Sequence, residues 1–290
     1  MNSVVICLCV YNSAKGLPSV LKNIDKIKNY KLFTDIKIIA CYDNSEDNSL
    51  DILNSYEYKK ETAAETKTEK IEIIQNECRI SNVRTENIAF ARNKLLERIR
   101  EKYANYEYFI MMDTNEYSCI GDINVNVLED VIKRKDEWDS ISFDREAGYY
   151  DIWALSFEPF LYSVYHFENF DKINKAMRDA FRVLLNDYKN NKPDEYIDVY
   201  SAFNGCAVYK TALFLDCSYN SRIQFKSFPK DILQKQLDAC GCKLIPVLSD
   251  DCEHRAFHME AKQKNNAKIK ICLKSLFSKL PKRPRLRGPA

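Results

Sequence analysis

The chain has 290 residues, 46% hydrophobic and 30% charged, with a formal net charge of +2. Those proportions exclude a disordered polypeptide and suit one large α/β domain, or such a domain with an extension. Eleven cysteines, an odd count with no CxxC, read as reduced buried thiols rather than a disulfide framework.

Val4–Val10 forms a continuous apolar strand, as in a parallel sheet covered on both faces. This start lacks a basic n-region and an A-x-A-like site, so the sequence predicts no secretory signal and a cytoplasmic location. No apolar run approaches the roughly 20 residues of a membrane-spanning helix. Leu17, Val20, Leu21, Ile24 and Ile27 then recur at helical spacing. Ile36–Tyr42 is a second strand, followed by the acidic turn Asp43-Asn-Ser-Glu-Asp-Asn-Ser49 and a short helix near Leu50–Tyr56. Glu57–Lys70 is poor in apolar residues and reads as a mobile surface excursion. Ile71–Ile74 is a third strand, Asn87–Lys102 a helix and Tyr106–Met112 a fourth strand.

This strand–helix alternation predicts an α/β fold, a doubly wound, mostly parallel sheet flanked by helices. Its ligand crevice should lie at the carboxyl ends of the strands. Polar residues follow all four strands: Asn12 and Ser13, Asp43, the stretch Asn76–Arg84, and Asp113. Beyond Ser140 the pattern becomes mixed. Strands are expected at Trp138–Phe143, Tyr149–Phe157, Cys206–Tyr209 and Leu244–Leu248, with a helix near Phe170–Tyr188.

Asp113 and Asn115 stand one residue apart where the fourth strand ends, and side chains i and i+2 of a strand share a face. Two oxygen ligands aimed at one point suit Mg²⁺ or Mn²⁺, with phosphates completing the shell. A metal-bridged nucleotide is the first expectation. Arg84 and Arg92 have the paired donors that a diphosphate requires, although Arg92 also fits a solvated helix face. Asp43 fits either a nucleotide contact or a helix N-cap, for which Asp47 is better placed. Asn12 either caps the following turn or lines the base pocket.

Residues 261–290 carry ten Lys and Arg and no Asp or Glu, which leaves about −8 for the remainder. Ile269, Cys272, Leu273, Leu276, Phe277 and Leu280 recur at helical spacing among lysines, predicting a basic amphipathic helical tail. That tail either packs on the body or lies, through residues 266–287, on an anionic membrane surface. Basic residues interleaved with exposed aromatics are missing and the body is acidic, so no nucleic-acid partner is expected. The predicted organisation is a catalytic domain over 1–260 (a nucleotide-binding half, 1–118, and an acceptor-side half, 119–260) with a tail over 261–290.

Four segments in this order resemble the GT-A fold glycosyltransferases, particularly family 2-like enzymes of the nucleotide-diphospho-sugar transferase superfamily. They are Val10-Tyr11-Asn12, Asp43-Asn44-Ser45-Glu46-Asp47-Asn48-Ser49, Ala91-Arg92-Asn93 and Asp113-Thr114-Asn115. The likeness spans roughly residues 3–260. Asn115 stands where the pattern has an acidic residue, and Glu116 is an alternative oxygen ligand. The resemblance implies transfer of a sugar from a nucleotide-diphosphate sugar to the hydroxyl of a glycan, lipid-linked or protein acceptor, assisted by Mn²⁺ or Mg²⁺. It implies donor contacts from Val10, Tyr11, Asn12, Asp43, Arg84, Arg92, Asn93, Asp113 and Thr114. The metal would be held by Asp113, Asn115 or Glu116, with His254 or His258, which stand i, i+4 after Glu253. Phe203-Asn204-Gly205 looks like the acceptor-side segment. Tyr150 and Trp153 are candidates to stack on a sugar, with Trp153 equally a core residue. Asp144, Glu146 and Asp151 are candidates for the carboxylate that deprotonates the acceptor. Two other readings stay open: a nucleotidyltransferase, and a catalytically silent nucleotide-binding or membrane scaffold.

Overall fold

A computed structural model describes residues 2–61, 66–146, 148–162, 166–222, 229–241 and 250–278. In chain order the elements are β1 (Ser3–Val10), α1 (Leu17–Asn29), β2 (Asp35–Asp43), α2 (Ser49–Ser55), β3 (Glu57–Glu61), β4 (Thr66–Lys70), β5 (Glu72–Asn76), α3 (Arg84–Lys102) and β6 (Tyr108–Asp113). Next come α4 (Val125–Lys133), β7 (Ser140–Asp144), α5 (Phe170–Asn191), β8 (Ile197–Val199), β9 (Cys206–Lys210), α6 (Lys230–Cys240), α7 (Glu253–Asn265) and β10 (Ile269–Ser275). The central sheet has the order β5-β2-β1-β6-β9-β7-β10-β8. Strands β5, β2, β1 and β6 run parallel, whereas β9 is antiparallel to both β6 and β7. The expected doubly wound, mostly parallel sheet is present, and its parallel half comes from the first 113 residues.

Strand periodicity divides the core. Val4, Ile6, Leu8, Ile36, Ile38, Tyr108, Ile110 and Met112 enter one cluster, with α1 and α4. Val5, Cys7, Ile39, Cys41, Phe109 and Met111 enter the other, with α3, α5 and α7. Successive side chains alternate faces, so the parity that buries Phe109 and Met111 also sends Asp113 to the α3/α7 side. The same parity carries Asp43 beyond Ile39 and Cys41. Across the sheet, Asp43 pairs with Asn76 and Cys9 with both Cys41 and Asp113. One row of polar tips on one face is a direct consequence of strand register.

Several expectations need correction. Glu57–Lys70 is an antiparallel pair, β3 against β4, with residues 62–65 outside the described set. Tyr58 is buried there and meets Glu69, which also pairs with Lys37 of β2 at 2.6 Å. Tyr149–Phe157 consists of turns rather than a strand, and its β-pairing is limited to the isolated Ser156↔Ser201 and Phe157↔Phe160 bridges. The predicted strand Leu244–Leu248 lies outside the described residues. Among the described residues the tail forms no helix beyond α7: residues 269–275 are β10, parallel to β7 and antiparallel to β8, and residues 279–290 lie outside the described set. Ile269 and Ile271 are fully buried by this pairing, which alternation places on one strand face. Residues 261–278 therefore belong to the body, and α7 runs across the expected boundary at 260.

Candidate functional site

Four loops converge at the carboxyl edge of the parallel strands. Asn12 adopts φ +47°, a left-handed conformation that Asn tolerates better than most residues. Its side-chain oxygen accepts the Glu46 N–H (2.9 Å) and its own N–H meets Ser45 Oγ (3.0 Å), so the turns after β1 and β2 are braided together. Asp47 accepts the Ala14 and Ser49 N–H groups at 2.9 and 3.0 Å, fixing the same junction. Thr114 Oγ1 donates to Cys9 C=O (2.6 Å) and meets Ser13 Oγ (2.8 Å), tying the end of β6 to β1. Gly16 lies under this knot; a Cβ there would come within 2.2 Å of the Thr114 carbonyl oxygen, so only glycine fits. Asn12 and Thr114, expected as donor contacts, are structural ties, and the Val10 side chain faces the α1 cluster.

Asp113 is the centre of the arrangement. Its Oδ1 faces Arg92 Nη2 at 3.1 Å, its Oδ2 accepts from Ser118 Oγ at 3.3 Å, and its side chain stays 26% exposed. Burial pushes this carboxyl up, against the opposing pull of Arg92 and Arg84. Arg92 is buried and pairs a second time with Glu253 Oε1 at 2.7 Å. Its guanidinium lies 4.5 Å from the Phe203 ring and 5.6 Å from the Tyr219 ring, and the two carboxylates hold its pKa well above the usual value. Asn93 exchanges two 2.8 Å hydrogen bonds with the Tyr219 backbone, which fixes that ring under Arg92. In this arrangement Arg92 is the buried counter-ion of two carboxylates, and Asn93 supports it through Tyr219.

The exposed cation at the mouth is Arg84, the first residue of α3, which has no ion pair or hydrogen bond among the described residues. Buried Asn87 holds the preceding loop, accepting the Ile80 and Ser81 N–H groups and donating to the Ser81 and Val83 carbonyls. Further along the row, Asn76 Nδ2 donates to Asp43 Oδ1 at 2.7 Å. Asp43 is shifted up by burial, which outweighs Asn76 and nearby Arg79. The Arg79 guanidinium covers the half-exposed Tyr11 ring at 4.8 Å.

On the other side, Asn204 (φ +56°) and Gly205 (φ +87°) organise the loop after β7. Asn204 Oδ1 accepts the Tyr150 and Asp151 N–H groups at 3.2 and 3.3 Å, its Nδ2 donates to Phe143 C=O, and its own N–H reaches Asp151 Oδ2. Gly205 C=O accepts the Asp113 N–H at 2.9 Å. Tyr150 OH donates to Ser118 Oγ at 2.9 Å, and a Cβ on Gly205 would lie 2.5 Å from that hydroxyl. The loop is thereby latched to Asp113. Asp151 has its pKa pushed up to about 6 by burial and by the neighbouring Asp113 carboxylate. Asn204 and Gly205 build this wall; the structure gives them no open polar face of their own.

No protein-family model matches the chain, and no curated protein matches it significantly. Solved structures that it resembles are glycosyltransferases of the GT-A type. S. aureus TarS 1-349 in complex with UDP-GlcNAc is 16% identical, with TM-score 0.48, covering 95% of this chain and 57% of that one. A mannosyltransferase from Pyrobaculum calidifontis with GDP-Man and Mn²⁺ is 12% identical, with TM-score 0.42, covering 92% and 56%. The glucosyl-3-phosphoglycerate synthase from Mycobacterium tuberculosis with Mn²⁺, UDP and glucosyl-3-phosphoglycerate is 9% identical, with TM-score 0.38, covering 83% and 67%. The chain spans 36% of full TarS and little more than half of the shorter TarS and the mannosyltransferase. These likenesses concern the fold.

The other predicted residues fall outside the centre. Among the described residues no group of three or more His, Cys, Asp or Glu side chains could hold a metal. The Asn115 side-chain oxygen is taken by the Tyr117 and Ser118 N–H groups (3.0 and 2.7 Å), so the strand ends too early for the expected i, i+2 pair. Glu116 is exposed and faces Lys15 at 3.9 Å. His254 and His258 are core residues. His258 meets Ser201 Oγ and Tyr209 OH at 3.0 and 3.2 Å, while His254 stacks on Phe203 with centroids 3.9 Å apart. Burial drives His258 down to about 3 and His254 well below the ordinary range, so both are neutral. Asp144 is buried against Lys189 at 2.7 Å, away from Asp113's partners, and Glu146 is exposed with no partner among the described residues. Trp153 is half-buried against the core, with its ring 6.1 Å from that of His166. No sequence pattern marks Ser118 or Tyr219, Asn76 and Arg79 stand out only as part of the polar stretch after the third strand, and Glu253 only as the acid before the two histidines.

What remains for a divalent cation is Asp113, with one oxygen shared with Arg92 and the other bound only by a hydroxyl. That set fits the kind of Mg²⁺ or Mn²⁺ site in which one or two carboxylates and substrate phosphates supply the ligands, not an all-protein cage.

Proposed function

We propose that this protein transfers a sugar from a nucleotide-diphosphate donor to an acceptor hydroxyl. The observation that carries this reading is the single row of polar strand tips, Asn76, Asp43 and Asp113, with Arg84 at its mouth and Asp151 across from it. Asp43 keeps its Oδ2 for a base or ribose donor, and the Arg79–Tyr11 stack flanks the same end of the crevice. Arg84 supplies paired donors to the diphosphate. A divalent cation bound with that diphosphate on Asp113 would stabilise the negative charge developing on the leaving nucleoside diphosphate.

Asp151 is the base that we assign among the three candidate carboxylates. With a pKa of about 6 it is ionised at neutral pH yet basic enough to take a proton from an attacking hydroxyl. The proton passes to the carboxylate as the hydroxyl oxygen bonds to the anomeric carbon and the sugar–phosphate bond breaks. Asp144 is engaged by Lys189 and Glu146 stands in solvent. A nucleotidyltransferase fits less well, because the turn after β1 spends its N–H groups internally, Gly16 N on Ser13 C=O and Ala14 N on Asp47. The described cysteines other than Cys240 are free, which supports a reducing cytoplasmic setting. No described helix is long and apolar enough to cross a membrane. The acceptor is a hydroxyl of a glycan, a lipid-linked group or a protein.

The test is a panel of UDP- and GDP-sugars with Mn²⁺, assayed for donor hydrolysis and transfer. Asp113→Ala should lower turnover by at least ~100-fold, the scale of losing a major charge-stabilising group, and should remove Mn²⁺-dependent nucleotide binding. Wild-type turnover in that variant refutes the assignment.

A further inference from the structure

Arg92 is shared by two carboxylates that come from different parts of the chain, Asp113 at the end of β6 and Glu253 at the start of α7. Its environment leaves it nowhere else to go. It is buried, its ring neighbours Phe203 and Tyr219 flank it, and its Nε has no hydrogen-bond partner among the described residues. Glu253 is itself buried, and a lone buried carboxylate or guanidinium is strongly disfavoured. Asp113 differs from both: a quarter of its side chain is open to the crevice.

We infer that Glu253 is a positioning residue that retains Arg92 when Asp113 turns to an incoming cation, making cation binding depend on the nucleoside diphosphate. In the resting arrangement a bare divalent cation approaching Asp113 meets a guanidinium 3.1 Å from the oxygen it needs. Like charges so placed disfavour binding of the metal alone. A diphosphate arriving with the cation brings the negative charge that offsets this repulsion. Arg92 then stays neutralised because its Nη1 already faces Glu253 at 2.7 Å. If Glu253 is made neutral, Asp113 becomes the only counter-ion of a buried cation and is held away from the metal. Asn93 fixes the Tyr219 backbone and with it the ring 5.6 Å from the guanidinium.

This inference rests on the donor reading above, and the experiment separates the two. Mn²⁺ binding is followed by the electron paramagnetic resonance signal of free Mn²⁺, with the full chain, alone and with UDP or GDP. Wild type should bind Mn²⁺ poorly by itself and more tightly with one of the nucleotides. Glu253→Gln should weaken the nucleotide-assisted affinity by about 10–100-fold, the range for partners of metal ligands, with circular dichroism confirming a folded chain. The double variant Arg92→Met with Glu253→Met removes the buried charges together, a replacement that buried pairs tolerate. It should bind Mn²⁺ more tightly than wild type without nucleotide. Nucleotide-assisted Mn²⁺ binding that is unchanged in Glu253→Gln, or a double variant still dependent on nucleotide, overturns the inference while leaving the donor reading intact. Absence of UDP and GDP binding by wild type under every condition overturns both.

Discussion

The two halves of the central sheet place their polar residues by different means. From β5 to β6, each site residue stands where a parallel strand stops, and the register of neighbouring strands sets its height and face. From β9 to β8 the strands are mixed, and Asp151 hangs in a loop after β7 that remote side chains pin at both ends. Asn204 pins one end of that loop through three hydrogen-bonding groups. Buried Arg255 holds the other end, donating to the carbonyls of Trp153, Leu155 and Leu161 while pairing with Asp251 at 2.9 Å. A strand end is specified by a few adjacent residues; a loop carboxylate is specified by residues 50 to 100 positions away. The donor side is therefore readable locally and the acceptor side is not.

The sharpest way to break this contrast is at Asp151. Asp151→Asn keeps the shape and one of the two backbone hydrogen bonds from Ala154 and Asn204, since its amide has a single acceptor oxygen, and it removes the base. Turnover should fall by about 10²–10⁴-fold, the usual contribution of a positioned base. In wild type, kcat/KM should fall as pH drops through about 6, where the carboxylate takes up its proton. Stability should respond in the opposite sense. The folded-state pKa lies above the ordinary 3.8, so the folded protein holds this proton more tightly than the unfolded chain. Its contribution to stability is present below the ordinary carboxylate range and is lost as pH rises through about 6. Relative to wild type, Asp151→Asn should thus gain ~1–3 kcal/mol of stability between pH 4 and pH 8, measured by urea denaturation. A variant with near-normal turnover and no change in pH profile moves the base elsewhere.

This contrast also explains which residues the sequence could expose. Asp43 and Asp113 were legible because apolar runs with strand character end directly before them. Arg84 was legible as a cation opening a helix after a polar loop. Arg92 fits a diphosphate or a solvated helix face in the sequence, because nothing in a linear pattern shows that Phe203 and Tyr219 close over it. The histidines misled for a related reason. Most of the first turns of α7 are buried, including Glu253, His254, Arg255 and His258, so polar residues there mark a packed interior rather than an open face. The segment 269–280 satisfies helical spacing and strand alternation together, and the partner strand β7 decides between them. That partner is some 130 residues distant, beyond the reach of any local pattern.

A smaller effect distinguishes Asp144 from Asp151, which stand seven residues apart in the same half. Asp144 is 1% exposed, with Oδ2 on Lys189 and Oδ1 without a partner among the described residues. Asp144→Asn removes that ion pair while Lys189, 41% exposed, can turn to water. Stability should fall by ~1–2 kcal/mol, the scale of a hydrogen bond to a charged group, lowering the melting temperature by a few degrees. Turnover of the folded fraction should stay within about twofold, a difference worth less than 1 kcal/mol. A loss of turnover as large as that of Asp151→Asn would mean that the β7 strand end itself carries the base, and the two halves would then be built alike.

The smallest effect is expected at Glu116, on the donor side, where local sequence suggests a metal ligand and the geometry does not. Its ion-pair partner among the described residues is Lys15 at 3.9 Å, with both side chains more than half exposed. Exposed pairs of this kind contribute about 0–1 kcal/mol and are screened by salt. Asn115, the residue before it, turns the chain by accepting the Tyr117 and Ser118 N–H groups, which carries Glu116 outward while bringing Ser118 Oγ back to Asp113. Glu116→Ala should therefore leave Mn²⁺ affinity with nucleotide within about twofold and stability within ~0.5 kcal/mol of wild type. A tenfold loss of Mn²⁺ affinity would place a second carboxylate on the cation, and the turn after β6 would then have to open when the donor binds.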